Sequence, residues 1–244
     1  MDVGVWAAVL WGGVTSASLF LGQALATPLD QRRRLTGLVM GFGAGTLLSA
    51  IAYQLIPRDS LGRGWLVALW FVIGALTYYV GDRLVDGRGG LDRQRIGGGQ
   101  GGGSGAAMFI GALLDGLPEA FILGIGIAAG GAVSVAFVVA VFVSNIPQGV
   151  AGTSSLRAAG HSSRQIFGMW AWLTVACAIA AGAGFLMAGE LGNGVVYAEA
   201  FAAGAVLVML SDSMMPEAFQ HGGRAVGLVT VFGYLVAAML TVVS

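Results

Sequence analysis

GAAMFIGALLDGLPEAFILGIGIAAG, residues 105–130, is followed almost at once by AVSVAFVVAVFVSNIPQGVAGTSS, residues 132–155. Each run is apolar over the roughly 20 residues that a helix needs to cross a bilayer. Each is interrupted near its middle by a proline set among polar side chains, at Pro118 and at Pro147. The apolar residues do not alternate with polar ones as in a barrel strand, so helices are the structure that can close the backbone hydrogen bonds in lipid. The rest of the chain agrees. Of its 244 residues, 57% are hydrophobic and 10% charged, against about 25% charged in a soluble domain. Its 42 glycines suit membrane helices, whose backbones approach closely at small residues.

The expected fold is therefore an all-α integral membrane protein, a single domain over residues 1–244 with lipid as its solvent. Eight segments have spanning length: 3–26, 35–57, 65–85, 105–130, 132–155, 163–187, 194–220 and 223–243. No basic region precedes the first, which reads as a retained helix and not a cleaved signal. If the N-terminus lies outside, the cytoplasmic loops hold Arg32, Arg33, Arg34, Arg83, Arg88, Arg93, Arg95, Arg157, Arg164 and Arg224, and the outer loops only Arg58 and Arg63. Arginine marks the cytoplasmic side, so both termini are expected outside. The loop 86–104 contains Gly97-Gly98-Gly99-Gln100-Gly101-Gly102-Gly103-Ser104 and reads as a flexible linker. No Gly-Lys-Ser/Thr follows it, which excludes a phosphate-binding loop. With 12 acidic and 12 basic residues, the charge balance gives no basis for a nucleic-acid partner. Cys177, the single cysteine, excludes an intrachain disulfide and reads as a small buried hydrophobe.

Two pairs of segments align without gaps. FGAGTLLSAIAYQLIPRD from Phe42 matches FAAGAVLVMLSDSMMPEA from Phe201, pairing Phe42/Phe201, Gly45/Gly204 and Pro57/Pro216. Asp115-Gly116-Leu117-Pro118-Glu119-Ala120 aligns with Ser144-Asn145-Ile146-Pro147-Gln148-Gly149 about the prolines. In the topology above, the members of each pair run in opposite directions. That is the inverted-topology repeat found in secondary transporters. It predicts a 3+2+3 arrangement with the fourth and fifth helices central.

Asp115 and Glu119 are the acids of the fourth segment and, one turn apart, share a helix face. An ionised carboxylate at mid-depth costs at least about 2.5–3.5 kcal/mol, so it faces a cavity, a partner or an ion. No intramembrane Lys or Arg is available to pair with them, which leaves a cation or a proton. Pro118 and Pro147 free the carbonyls of Leu114 and Val143, and such carbonyls can coordinate cations. Ser144, Asn145 and Gln148 add oxygen ligands on the fifth helix, although Ser144 alone could serve only to bond its own helix. Asp212, a turn before Pro216, is a further pathway candidate. Glu217 reads as interfacial, His161 and His221 as solvated, Glu190 and Glu199 as loop residues, and most of the six tryptophans as interfacial anchors.

Eight helices, an outside N-terminus, a variable loop after the third helix and these two proline-centred motifs together resemble the ZIP (zinc/iron-regulated-like) metal transporters. That family carries a His-Asn-x-Pro-Glu-Gly type motif on helix 4 and a His-Glu-x-Pro-His-Glu type motif on helix 5. The resemblance implies that Asp115 stands in the place of the first histidine, Glu119 matches the glutamate, Ser144 and Asn145 replace His and Glu, and Gln148 takes the next ligand position. Gly116 and Gly149 remove two ligands, and the sixth helix supplies no acid. The implied function is transport of a divalent metal ion (Zn, Fe, Mn or Cd) into the cytoplasm across a plasma or inner membrane. The metal is substrate, with no prosthetic group and no enzymatic reaction. Without His or Cys ligands in its motifs, the site is expected to be oxygen-rich and to suit harder ions. Two alternatives share the fold: a proton-coupled carrier of another small solute, and a non-transporting regulatory protein. An aspartyl protease built from Asp115 and Asp212 lacks the required context, since Tyr79-Val80-Gly81-Asp82 misses its first glycine. The small-residue content is compatible with a homodimer.

Overall fold

In lipid, a backbone without water must bond to itself, and nearly all of the described residues do so as helix. The computed structural model describes residues 3–30, 32–55, 64–90, 105–130 and 135–243. Its elements run α1 (Val3–Asp30), α2 (Arg33–Ala50, continued by a π-helical turn Ile51–Leu55), α3 (Trp65–Val85), α4 (Gly105–Gly130), α5 (Val135–Ala158) and α6 (Ser163–Leu191). They end with α7 (Val195–Met209, a π-helical turn Leu210–Met214, then Met215–Gly222) and α8 (Ala225–Val243). Among the described residues, seven helices are long and apolar enough to cross a membrane, and Ala225–Thr241 forms a shorter apolar helix. The chain is a multi-pass helical membrane protein. Its outer surface fits lipid: Leu228, Val231, Phe232, Leu235 and Met239 on α8, and Phe167, Trp172, Val175 and Ile179 on α6, are all exposed.

The helices sort into two groups. One hydrophobic cluster joins α1, α4, α5 and α6 through Leu19, Met108, Ala120, Leu156, Trp170 and Cys177. The other centres on α2 and α7, with Met40, Leu47, Met209, Leu210 and Met214 at its heart, and reaches the first group through Ala8 of α1, Ile122 of α4 and Val141 of α5. Glycines set the close approaches within the second group. A Cβ on Gly45 would overlap the Thr230 carbonyl oxygen of α8, and one on Gly204 would overlap the Phe71 carbonyl oxygen of α3. In return, Gly233 abuts the Phe42 carbonyl and Gly74 the Phe201 carbonyl. The offset that aligns Phe42 with Phe201 also aligns Gly45 with Gly204, Phe71 with Thr230 and Gly74 with Gly233. The α2–α8 and α3–α7 contacts therefore repeat each other residue for residue.

The π turns follow the same register, Ile51 matching Leu210 and Leu55 matching Met214. A proline lies two residues beyond each of these two turns in the sequence. The two helices run antiparallel: Gly37 meets Ala218 and Gly222, whereas Gly43, further along α2, meets Met214. α1 and α6 also run antiparallel, with Gly4 against Phe185 at one end and Gln23 Nε2 donating to the Ser163 carbonyl (2.9 Å) at the other. Ser162 and Gln165 form a capping box that starts α6 there.

The most buried of the spans are α5 and α2, because glycines along α2 let α7, α8 and α5 close around it. Several expectations are corrected. Asp86–Gly90, expected as loop, is a π-helical turn extending α3, and residues 91–104, with the glycine run, lie outside the described residues. So does Pro57. Glu199 belongs to α7 and not to a loop, and Asp82 is buried on α3. Trp170 is no interfacial anchor: it is 2% exposed and donates its indole N–H to Thr153 Oγ1 at 3.1 Å.

Candidate functional site

α4 turns Met108, Ala112, Asp115 and Gly116 toward α1, α5 and α6, and Asn145 and Gln148 of α5 meet them across a small cavity. Ser16 of α1 and Cys177 of α6 complete its polar lining. About 20 Å³ of the cavity is open to the centre of a water-sized sphere. That is room for one water or one small ion.

Each polar group has a defined state. Asp115 accepts a hydrogen bond at Oδ1 from the Tyr78 hydroxyl of α3. Asn145 donates its amide N–H to the Thr15 carbonyl at 3.3 Å, which orients its side-chain oxygen away from α1. Ser16 donates to the Gly12 carbonyl at 2.9 Å and keeps its lone pairs. Gln148 Nε2 is buried without a hydrogen-bond partner. Glu119 lies one turn beyond Asp115 and is 2% exposed. Neither of its carboxyl oxygens has a hydrogen-bond partner, and it interacts electrostatically with Asp115. Buried polar atoms are hydrogen-bonded in more than about nine cases in ten, so a bare buried carboxyl asks for a cation or a proton. Two ionised carboxylates at the roughly 6 Å typical of i,i+4 neighbours would repel by about 3 kcal/mol at an effective dielectric of 20.

Of the residues singled out from sequence, Asp115, Asn145 and Gln148 therefore converge on one cavity, whereas Glu119, one turn further along α4, is not among its lining residues. Two others lie away from it. Ser144 donates to the Val141 carbonyl at 3.0 Å and packs on Gly43 of α2, on the far side of α5. Asp212 is exposed on the π turn of α7, which buries Leu210 and Met214 instead. Leu114 and Pro118 likewise face elsewhere. With Trp70, Leu117, Phe121 and Phe201 they line an apolar groove of about 690 Å³ between α4–α6 and α3–α7. Glu217 is buried, not interfacial, with His221 Nδ1 at 3.2 Å from its Oε1.

Tyr78 and Ser16 carry no expectation from the sequence, and Cys177, expected only as a small buried hydrophobe, is buried and lines the cavity. Tyr78 had a readable signal, since Gly74, Tyr78 and Asp82 recur every fourth residue and are all buried on one face of α3. Nothing in the local sequence marks Ser16 or Cys177 as cavity residues. Among the described residues no three His, Cys, Asp or Glu side chains converge as a metal cluster, so any cation here relies on two acids plus neutral oxygen donors. Compared with known protein families and with curated proteins, the chain matches none.

Proposed function

We propose that this protein carries a divalent cation across the membrane through the site formed by Asp115, Glu119, Asn145 and Gln148. The observation that carries the reading is the pair of buried carboxyls one turn apart beside an ion-sized cavity, with both Glu119 oxygens lacking a hydrogen-bond partner. A divalent ion supplies both missing charges at once and turns the carboxylate repulsion into attraction. Carboxylate and amide oxygens suit Mn or other hard ions better than Zn.

The same reading makes α8 the eighth span, because its 19 residues extend about 28 Å at 1.5 Å per residue. The helices then form a 3+2+3 inverted repeat with both termini outside, as in the ZIP transporters that the sequence resembles, in a plasma or inner membrane. Transport proceeds by movement of the α1, α4, α5, α6 group against the α2, α3, α7, α8 group. The apolar groove between α4–α6 and α3–α7 leaves part of that boundary loosely packed. A homodimer is part of the proposal only through the chain's small-residue content.

A second reading is supported by the same bare Glu119: a proton there, with another small solute as cargo. Uptake of Mn, Fe, Zn and Cd into vesicles containing the purified protein separates the two. Metal uptake that Glu119→Gln abolishes supports the first reading. Absence of uptake and of calorimetric binding for all four ions refutes it, and uptake left intact by both Asp115→Ala and Glu119→Ala refutes the site.

A further inference from the structure

Tyr78 and Asp115 stand on opposite helix groups. α3 is tied to α7 through Gly74 against Phe201 and Gly204 against Phe71, whereas α4 is tied to α6 through Gly124 against Ala181 and Gly184 against Phe121. Between the two groups, beside the apolar groove, the Tyr78 phenol donates to Asp115 Oδ1. Both side chains are out of solvent, at 3% and 4% exposure. A buried hydrogen bond, cut off from competing water, is stronger than the same bond in solvent.

We propose that Tyr78 is a positioning residue that couples occupancy of the site to movement of the two groups: it holds Asp115 while the site is empty and lets go when a cation binds there. The inference rests on the cation reading above. Its physical basis is competition for the same lone pairs. A carboxylate that accepts from a phenol at one oxygen offers a cation less electron density. A divalent ion at either oxygen withdraws charge from both and weakens the phenol's hold. Loading of Asp115 therefore loosens a buried contact between α3 and α4, and emptying it restores that contact.

Full-length protein in lipid nanodiscs tests this with Tyr78→Phe, which keeps the ring and removes the donor. Binding of Mn, Zn and Cd is measured by calorimetry, amide hydrogen exchange of α3 and α4 with and without the ion, and KM and Vmax in vesicles. Tyr78→Phe is expected to bind about tenfold more tightly, the value of a hydrogen bond to a charged group. KM falls with Kd. Exchange in α3 and α4 of the wild type rises when the ion binds, and the metal-free variant already shows that higher rate. Asp115→Asn keeps an acceptor for Tyr78 without the charge, so it should lose ion binding while its metal-free exchange stays as in the wild type. A purely structural tyrosine would instead lower the thermal midpoint and Vmax and leave Kd alone. Wild-type affinity together with wild-type exchange in Tyr78→Phe overturns the proposal. Failure of the cation reading looks different, because then the wild type itself binds none of the three ions. That outcome overturns the coupling too, while faster exchange in metal-free Tyr78→Phe would still register the lost contact.

Discussion

Replacing Glu119 with Gln removes one charge and nearly preserves the shape of the side chain. The carboxyl is buried with neither oxygen hydrogen-bonded, so its charge destabilises the protein unless a cation or a proton neutralises it. Glu119→Gln is expected to cut divalent-ion uptake by about tenfold or more, equivalent to losing about 1.4 kcal/mol of ion binding. It should also stabilise the ion-free protein by about 1 kcal/mol, raising the thermal midpoint in detergent by roughly 2–4 °C. Lower uptake together with lower stability would mean that Glu119 has a packing role instead. Asp212→Asn makes the contrasting case. Its side chain is exposed on the α7 π turn, away from the cavity, and uptake should stay within about twofold of wild type, as for surface changes that move stability by under about 0.5 kcal/mol. Asp115 and Glu119 were legible in the sequence because a charge within an apolar run is costly and needs a reason. Ser144 and Asp212 looked equally polar there, but which face of a helix meets the cavity depends on its rotation against its neighbours. Helices as uniformly apolar as α5 and α7 carry little information about that rotation. Tyr78 was missed because its importance lies in a contact 37 residues away in sequence.

At the scale of the helix, Gly45 and Gly204 test whether the matched contacts of α2–α8 and α3–α7 do equivalent work. A methyl group at either position would overlap a backbone carbonyl oxygen, Thr230 for Gly45 and Phe71 for Gly204. Backbone cannot move aside as a flexible side chain can. Gly45→Ala and Gly204→Ala should each cost about 1–3 kcal/mol, the usual price of overpacking. Gly126→Ala is the control, since nothing lies within 4 Å of its added Cβ. There the gain in helix propensity should stabilise the protein by about 0.5–1 kcal/mol. Thermal unfolding in detergent reads all three, and a Gly204→Ala variant as stable as Gly126→Ala would remove the equivalence. The alignment of Phe42, Gly45 and Pro57 with Phe201, Gly204 and Pro216 was visible in the sequence because Phe, Gly and Pro are less interchangeable in apolar helices than Leu, Ala and Val. The π turns were not visible. A following proline does not explain them, since Asp86–Gly90 is a π turn with no proline after it and Pro118 and Pro147 sit within α4 and α5 with no such turn.

For the molecule as a whole, the arginines bear on orientation in the membrane. Arg157 Nη1 donates to Thr27 Oγ1 at 3.0 Å, Gln23 of α1 bonds to Ser163 beside Arg164, and Gly37 packs on Gly222 two residues before Arg224. These contacts gather the ends of α1, α5 and α7 with the starts of α2, α6 and α8, and with them Arg32, Arg33, Arg34, Arg157, Arg164 and Arg224, at one end of the bundle. Arginines concentrate on the cytoplasmic side, so this end should face inward and the α6–α7 connection outward. Glu190 is exposed in the last turn of α6, and Gln100 falls in the loop between α3 and α4. The variants Glu190→Cys and Gln100→Cys, each adding one cysteine to Cys177 and probed on intact cells with a membrane-impermeant maleimide, should give labelling at 190 and none at 100 until the membrane is opened. Cys177 is buried and should contribute little background. Labelling at 100 alone would invert the orientation, and a cation imported under the present reading would then be exported. Labelling at both would mean that the two connections share a side, which an even number of crossings between them would require. The helices α4, α5 and α6 separate the two positions, so three crossings is the value the experiment tests, and only three crossings place Asp115 and Glu119 within a helix that traverses the membrane outward.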